Sequence, residues 1–252
     1  DKPFAVNITP VGPAFTLERA KIAIDEGINL VTTGRGDPRT PTVSLLKSYN
    51  IKVLPVVPTV RHAIRLEKEG ADAIIASGTE AGGHVGTVSS LPLIPMVVDA
   101  VKIPVVAAGG IGDSRGFVAA LALGACGIQM GTRFYASYEA SANPLVKSRI
   151  LEASEEDTAI TTILTGKPTR MIRNQDVDKW LELARQGASA EELVTLAAEI
   201  RKRKRDDPEY ILVGAGQICG MIKTVESVQD IISQIIGGAI AIYQRLGLLA
   251  KA

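Results

Sequence analysis

The sequence predicts an α/β fold, a parallel sheet closed as a TIM-type (β/α)₈ barrel. Short apolar runs alternate with helix-period segments at intervals of roughly 20 to 30 residues, the alternation that yields a parallel sheet. Two glycine turns follow the last two of those runs, in the stretch from Ile103 to Phe134. The 252 residues suit one barrel-sized domain better than two small ones.

Taken in order, Phe4 to Ile8 is the first apolar run, with Asn7 near its end and a Thr9–Pro13 loop after it. Thr16 to Glu26 has helix spacing, with Thr16 as a candidate N-cap and Gly27 as the stop. Asn29 to Thr33 is a strand, followed by the polar turn Arg35-Gly36-Asp37-Pro38 and a helix over Pro41–Tyr49. Lys52 to Val57 is a strand, Thr59 to Glu69 an amphipathic helix, and Asp72 to Ala76 a strand. That strand leads into Ser77–Gly86, a loop carrying Glu80, Gly82, Gly83 and His84. Pro92 to Val101 is a helix. Pro104-Val-Val-Ala-Ala is a strand of the kind buried on both faces, ended by Gly109-Gly110. A helix over Gly116–Leu123 follows, then a short strand over Gly127–Met130, closed by Gly131-Thr132.

This gives about six strands, where a closed barrel needs eight. An open doubly wound sheet could stop at six, but its phosphate turn usually follows the first strand. Here the glycine turns follow the last two, as the phosphate-holding turns after the seventh and eighth barrel strands do. Numbered that way, the first visible strand is strand three, and two strand–helix units are expected upstream of Asp1. The chain's opening, Asp-Lys-Pro without an initiator methionine, agrees with this. Residues 1–134 are thus read as barrel strands three to eight, 135–220 as a helical insertion over the barrel mouth, and 221–252 as the closing barrel helix. Within the insertion, Ala136–Ser154 reads as a long helical stretch and Thr158–Leu164 as a strand or a loop. Thr165–Arg170 reads as a turn, and Asp176–Arg185 and Glu191–Arg205 as two helices.

Lys+Arg 28 against Asp+Glu 27, a net charge of +1, argues against binding to nucleic acid or a membrane surface through bulk charge. The basic run from Arg201 to Arg205 is read as a solvated helix end, since aspartates follow and no aromatics are interleaved. Cys126 and Cys219 form no CxxC or Cys/His pattern and are read as buried free thiols of a reducing compartment. With no spanning apolar run and no signal segment, a cytoplasmic location is the expectation.

Glycine is required where a backbone turns with positive φ or where an anion must approach bare N–H groups. Gly109-Gly110 alone fit tight turns or a phosphate cradle equally well. Gly131-Thr132 at the next strand end favour the phosphate. Of two histidines, His62 sits in an outer helix and reads as structural. His84, among glycines at a strand end, can bind an anion or move a proton near neutral pH. Glu80 could orient that loop or be a solvated acid. Asn7 could read a ring edge or form a turn, Gln129 is a polar residue expected to point inward, and Gln217 could reach the mouth. No metal constellation and no GxSxG elbow occur.

The segments KPFAVNI, NLVTTG, KVLPVVPTV, GADAIIASGTEAGGHVG, IPVVAAGGIGDSRG and LGACGIQMGTRF, with GAGQICGMI later, resemble the nitronate monooxygenases. They equally resemble the related flavin-type enoyl-acyl-carrier-protein reductases. The resemblance implies a TIM barrel carrying non-covalent FMN. It implies that Asn7, Gly82 and Gly83 touch the flavin, that Gly109, Gly110, Gly131 and Thr132 hold its phosphate with Gln129 and Met130 beside them, and that His84 is catalytic. Glu80, Gly216 and Gln217 would line the substrate pocket. The family's first two strands, including a glycine-methionine turn under the flavin, have no counterpart in this sequence. The implied activity is oxidation of alkyl nitronates with dioxygen. The alternative is NAD(P)H-dependent reduction of an enoyl thioester, and a homodimer is expected. Two other classes stand against these: a phosphate-ligand barrel doing isomerase or lyase chemistry, which would be colourless, and a non-catalytic remnant that binds no FMN.

Overall fold

The computed structural model describes residues 4–9, 12–34, 42–202 and 210–249. Among them the strands are β1 (Val6–Ile8), β2 (Leu30–Thr33), β3 (Lys52–Val57), β4 (Ile74–Ser77), β5 (Gly83–His84), β6 (Val105–Ala108), β7 (Gly127–Gln129), β8 (Thr158–Thr161) and β9 (Thr169–Ile172). The helices are α1 (Pro13–Asp25), α2 (Thr42–Ser48), α3 (Val60–Lys68), α4 (Ser90–Ala100), α5 (Ser114–Ala122), α6 (Thr132–Tyr135), α7 (Pro144–Glu152), α8 (Gln175–Arg185), α9 (Ala190–Lys202) and α10 (Val228–Leu249). The chain divides into two compact units: Asp1–Gly78 with Thr87–Ala108 and Ala120–Gln129, and Thr79–Gly86 with Gly109–Ala119 and Met130–Ala252.

The first unit holds a six-stranded sheet in the order β1-β2-β3-β4-β6-β7, every pair parallel. A doubly wound sheet reverses its strand order at a switch point. This one runs in chain order without reversal, as a (β/α)₈ barrel does, and supplies six of the eight strands such a barrel contains. The TIM-barrel-type α/β fold expected from the sequence is therefore the fold found. β4 is buried at all four positions, which is why its residues are an unbroken apolar run rather than an alternating one. Leu46, Val53, Val57, Ile74 and Leu93 form the centre of this unit's core. α3 starts where Thr59 caps it, the hydroxyl accepting from the His62 amide. The imidazole of His62 lies 2.6 Å from the same hydroxyl, in keeping with a structural role.

The second unit carries a small antiparallel sheet, β5-β9-β8, and most of the remaining helices. Ile150, Ile172, Val213, Ala215 and Ile222 pack in one core, while Ile163, Met171, Val177, Trp180 and Ile200 pack in another. Asn174 caps α8 by accepting from the Val177 amide, and Asp176 and Asp178 occupy its first turn, where the helix dipole favours acids.

Several sequence expectations are corrected. Thr16 lies inside α1, which starts at Pro13, and its hydroxyl donates to the Gly12 carbonyl. Of the helical stretch read over Ala136–Ser154, only Pro144–Glu152 is a long helix, and Ser137 instead bridges to Glu226. Thr158–Thr161 is a strand, and Thr169 and Arg170, read as turn residues, open its partner β9. β9 is buried at all four positions, so no polar–apolar alternation marks it, and Cys126, read as a buried thiol, is exposed while Cys219 is buried. The turn at Arg35–Pro38, Pro41 and the end of the basic run, Arg203–Arg205, lie outside the described residues.

Candidate active site

His84 sits on a strand, not in a loop. β5 pairs antiparallel with β9, Gly83 opposite Arg170 and His84 opposite Thr169, and the Val85 amide donates to the Pro168 carbonyl. A single glycine and a histidine form no strand pattern of their own, so this strand exists through its partner and is invisible to local pattern. The half-buried imidazole lies with Nε2 2.7 Å from the Thr165 hydroxyl, in the turn between β8 and β9.

Arg170 is a residue the sequence reading missed. It is 7% exposed, its Nε donates to the Thr79 carbonyl at 2.8 Å and one terminal nitrogen donates to the Thr158 hydroxyl at 2.8 Å. Burial pushes the guanidinium down from its ordinary value, and the Glu80 charge opposes that. A cation kept in such a place anchors the start of the 79–84 segment. The only sequence signal for it is one arginine inside an otherwise apolar run, Thr169-Arg170-Met171-Ile172.

On its other side the 79–84 segment meets the loop at 214–217. The Gln217 amide donates to the Glu80 carbonyl at 3.0 Å. A Cβ on Gly82 would come within 2.6 Å of the Ala215 backbone, and one on Gly216 within 2.6 Å of the Glu80 carbonyl oxygen. These two glycines let two backbones touch. The Gly216 amide in turn donates to the Thr132 hydroxyl at 2.9 Å, so the 214–217 loop is tied to both the histidine segment and the Gly131-Thr132 turn. A Cβ on Gly110 would lie 3.5 Å from the Glu80 side chain, which brings the other glycine turn to the same place. One unit thus gathers Glu80, Gly82, Gly83, His84, Gly109, Gly110, Met130, Gly131, Thr132, Gly216 and Gln217.

Both turns leave neighbouring strand ends, since Ala108 and Gln129 are register partners at the last positions of β6 and β7. Gly109 and Gly110 both have φ in the left-handed region, 86° and 72°. A Cβ on Gly131 would enter open space. Thr132 is buried, and its hydroxyl, while accepting from Gly216, keeps its own proton to donate. These features fit a phosphate: bare backbone with room beside it and a hydroxyl donor. Asn7 and Gln129 belong to the other unit. Asn7 donates to the Thr32 hydroxyl at 2.9 Å. Gln129 is exposed at the end of β7, the last strand in the sheet order.

A cavity of about 430 Å³ opens in the second unit. Its walls continue the same three segments: Gly112 to Arg115 after the first glycine turn, Arg133 after the second, and Met221 and Lys223 after the 214–217 loop. Arg133 is committed there to Glu226 and the Thr224 carbonyl, and Arg115 to Asp113. Among the described residues, no group of three or more His, Cys, Asp or Glu is placed to hold a metal ion. No described helix is long and apolar enough to cross a membrane.

The profile of the family described as nitronate monooxygenase matches residues 4–238. The chain belongs to this family. It is 41% identical over 172 residues to a "Probable nitronate monooxygenase" of Staphylococcus saprophyticus, covering 64% of this chain and 48% of that protein. It is 40% identical over 182 residues to "(3aS,4S,5R,7aS)-5-hydroxy-7a-methyl-1-oxo-octahydro-1H-indene-4-carboxyl-CoA dehydrogenase" of Mycobacterium tuberculosis, covering 71% of this chain and 51% of that one. The chain thus spans about half the length of these curated relatives. Among solved structures it is similar to FabK from Thermotoga maritima, with TM-score 0.87 and 38% identity over 98% of this chain and 78% of that one. It is also similar to nitroalkane oxidase from Streptomyces ansochromogenes, with TM-score 0.82 and 25% identity over 97% and 82%. In this nitronate monooxygenase family member, four of the seven segments that carried the sequence resemblance, those holding Glu80, Gly110, Thr132 and Gly216, supply the residues that meet in this unit.

Proposed function

We propose that this protein is an FMN-dependent oxidoreductase that oxidises alkyl nitronates with dioxygen. The observation that carries the reading is the convergence, in one unit of a nitronate monooxygenase family member, of the histidine segment and the Gly131-Thr132 turn on the 214–217 loop, with the Gly109-Gly110 turn against Glu80 of that segment. Gly109, Gly110, Gly131 and Thr132 hold the phosphate of FMN through backbone N–H groups and the threonine hydroxyl. Bound there, FMN supplies the electron acceptance and the hand-over to dioxygen that side chains cannot perform.

The chain's own residues bind, orient and move protons. His84 steers the anionic nitronate or takes the α-proton of its nitroalkane, a task for a group that titrates near neutral pH. Gln217 and Gly216 close the substrate side. Their backbone, fixed on Glu80 and Thr132, keeps that wall in register with the histidine. Glu80 offsets the buried Arg170 cation. Asn7, Gly82 and Gly83 as flavin contacts, with Gln129 and Met130 beside the phosphate, rest on the sequence resemblance. So do a homodimer, a cytoplasmic location, and the assignment of 135–220 as a lid.

A second reading, NAD(P)H-dependent reduction of an enoyl thioester, is favoured in its substrate class by one observation: a relative 40% identical over 182 residues is named as a carboxyl-CoA dehydrogenase. Two assays on FMN-loaded protein separate them. With propionate-3-nitronate under oxygen, the lead reading predicts oxygen uptake. With NADH and crotonyl thioester, it predicts no loss of NADH. The opposite pair of results transfers the assignment to the thioester.

A further inference from the structure

The turn between β8 and β9 reaches back to the histidine strand. Thr165 lies in it, 81 residues from His84 in sequence, with its hydroxyl 2.7 Å from Nε2. The contact is delivered by sheet geometry. His84 pairs with Thr169, the Val85 amide donates to the Pro168 carbonyl, and the Gly166 amide closes the turn on the Thr162 carbonyl. Arg170, the Gly83 partner, pins Thr79 at one end of the histidine segment and Thr158 at the start of β8. Ring and hydroxyl therefore belong to one hydrogen-bonded ribbon.

Thr165 itself is exposed. An exposed hydroxyl has water as an alternative partner, so this hydrogen bond contributes little to folding. What it does contribute is orientation. A hydrogen bond at one ring nitrogen fixes the orientation of the whole imidazole, and a hydroxyl, which can donate or accept, does so in either neutral tautomer. We propose that Thr165 is a positioning residue for His84, holding the imidazole by Nε2 so that one ring orientation is presented to the substrate. This rests on the reading of His84 as the catalytic histidine, and the test separates the two.

The chain has two histidines, so the imidazole ¹⁵N resonances of the whole protein are assignable by their loss in His84→Gln. In the wild type the His84 Nε2 resonance is expected to carry the shift of a hydrogen-bonded nitrogen. Thr165→Val keeps shape and removes only the hydroxyl. It is expected to leave the thermal melt in place, to move the His84 Nε2 shift toward that of a nitrogen without this hydrogen bond, and to lower kcat for nitronate oxidation roughly ten- to a hundredfold, the scale on which hydrogen-bonded partners orient metal-binding histidines. Thr165→Ser is expected to restore both the shifts and the turnover. His84 nitrogen shifts identical in the wild type and Thr165→Val would overturn the proposal. Altered shifts with unaltered turnover would uphold the hold on the ring and remove His84 from the chemistry.

Discussion

Gly82 and Gly131 differ at the level of single atoms. A methyl on Gly82 collides with the Ala215 backbone at 2.6 Å, and backbone cannot yield cheaply. Gly82→Ala is therefore expected to lower stability by about 1–3 kcal/mol, the scale of overpacking, as read from a urea melt. A methyl on Gly131 meets nothing and its φ of −99° suits any residue. Gly131→Ala is expected to change stability by less than about 0.5 kcal/mol. It should nevertheless weaken FMN measurably in a fluorescence titration, because the methyl fills the space assigned to the phosphate. Equal affinity in Gly131→Ala and the wild type would remove this turn from the phosphate site. The need for glycine at 109 and 110 was legible, since a strand ended there on two of them. The need at 82 and 216 was not, because a close approach between residues more than a hundred apart leaves no local mark.

Elements show the same division. Apolar strands announce themselves, and Lys52–Val57 has the same bounds in sequence and structure. β5 does not, because its two residues are made a strand by β9. In the sheet unit, the connection before β4 is fastened by Asp72. Burial raises its carboxyl, but hydrogen bonds from Lys47, the Val53 amide and Lys52 outweigh burial and hold it below its ordinary value. A carboxyl depressed in the folded state stabilises the fold above its unfolded pKa, and that contribution is lost as pH falls through the folded pKa. Asp72→Asn is thus expected to cost roughly 1–2 kcal/mol at pH 7. Its melting curve should converge on that of the wild type as pH falls below the ordinary carboxylate value of 3.8. A difference that persists unchanged into acid would show that the charge plays no part.

For the whole molecule, chain-order parallel pairing decides the barrel architecture, and the family match over residues 4–238 agrees with what the glycine turns implied. Position along the chain made this legible: turns after the last two strands suit a barrel and not a doubly wound sheet. What pairwise sequence reading could not reach was the common support of the site, a 214–217 loop held on Glu80 and Thr132, since each of those bonds joins segments that look independent in sequence. The claim that this support serves nitronate oxidation is most directly tested by anaerobic mixing. FMN-loaded protein is combined with propionate-3-nitronate and the flavin absorbance near 450 nm is followed, with roughly a hundredfold slower change expected in His84→Ala. The account predicts bleaching by the nitronate and recovery of colour when oxygen is admitted. Absorbance that stays constant with nitronate present and FMN bound would contradict it.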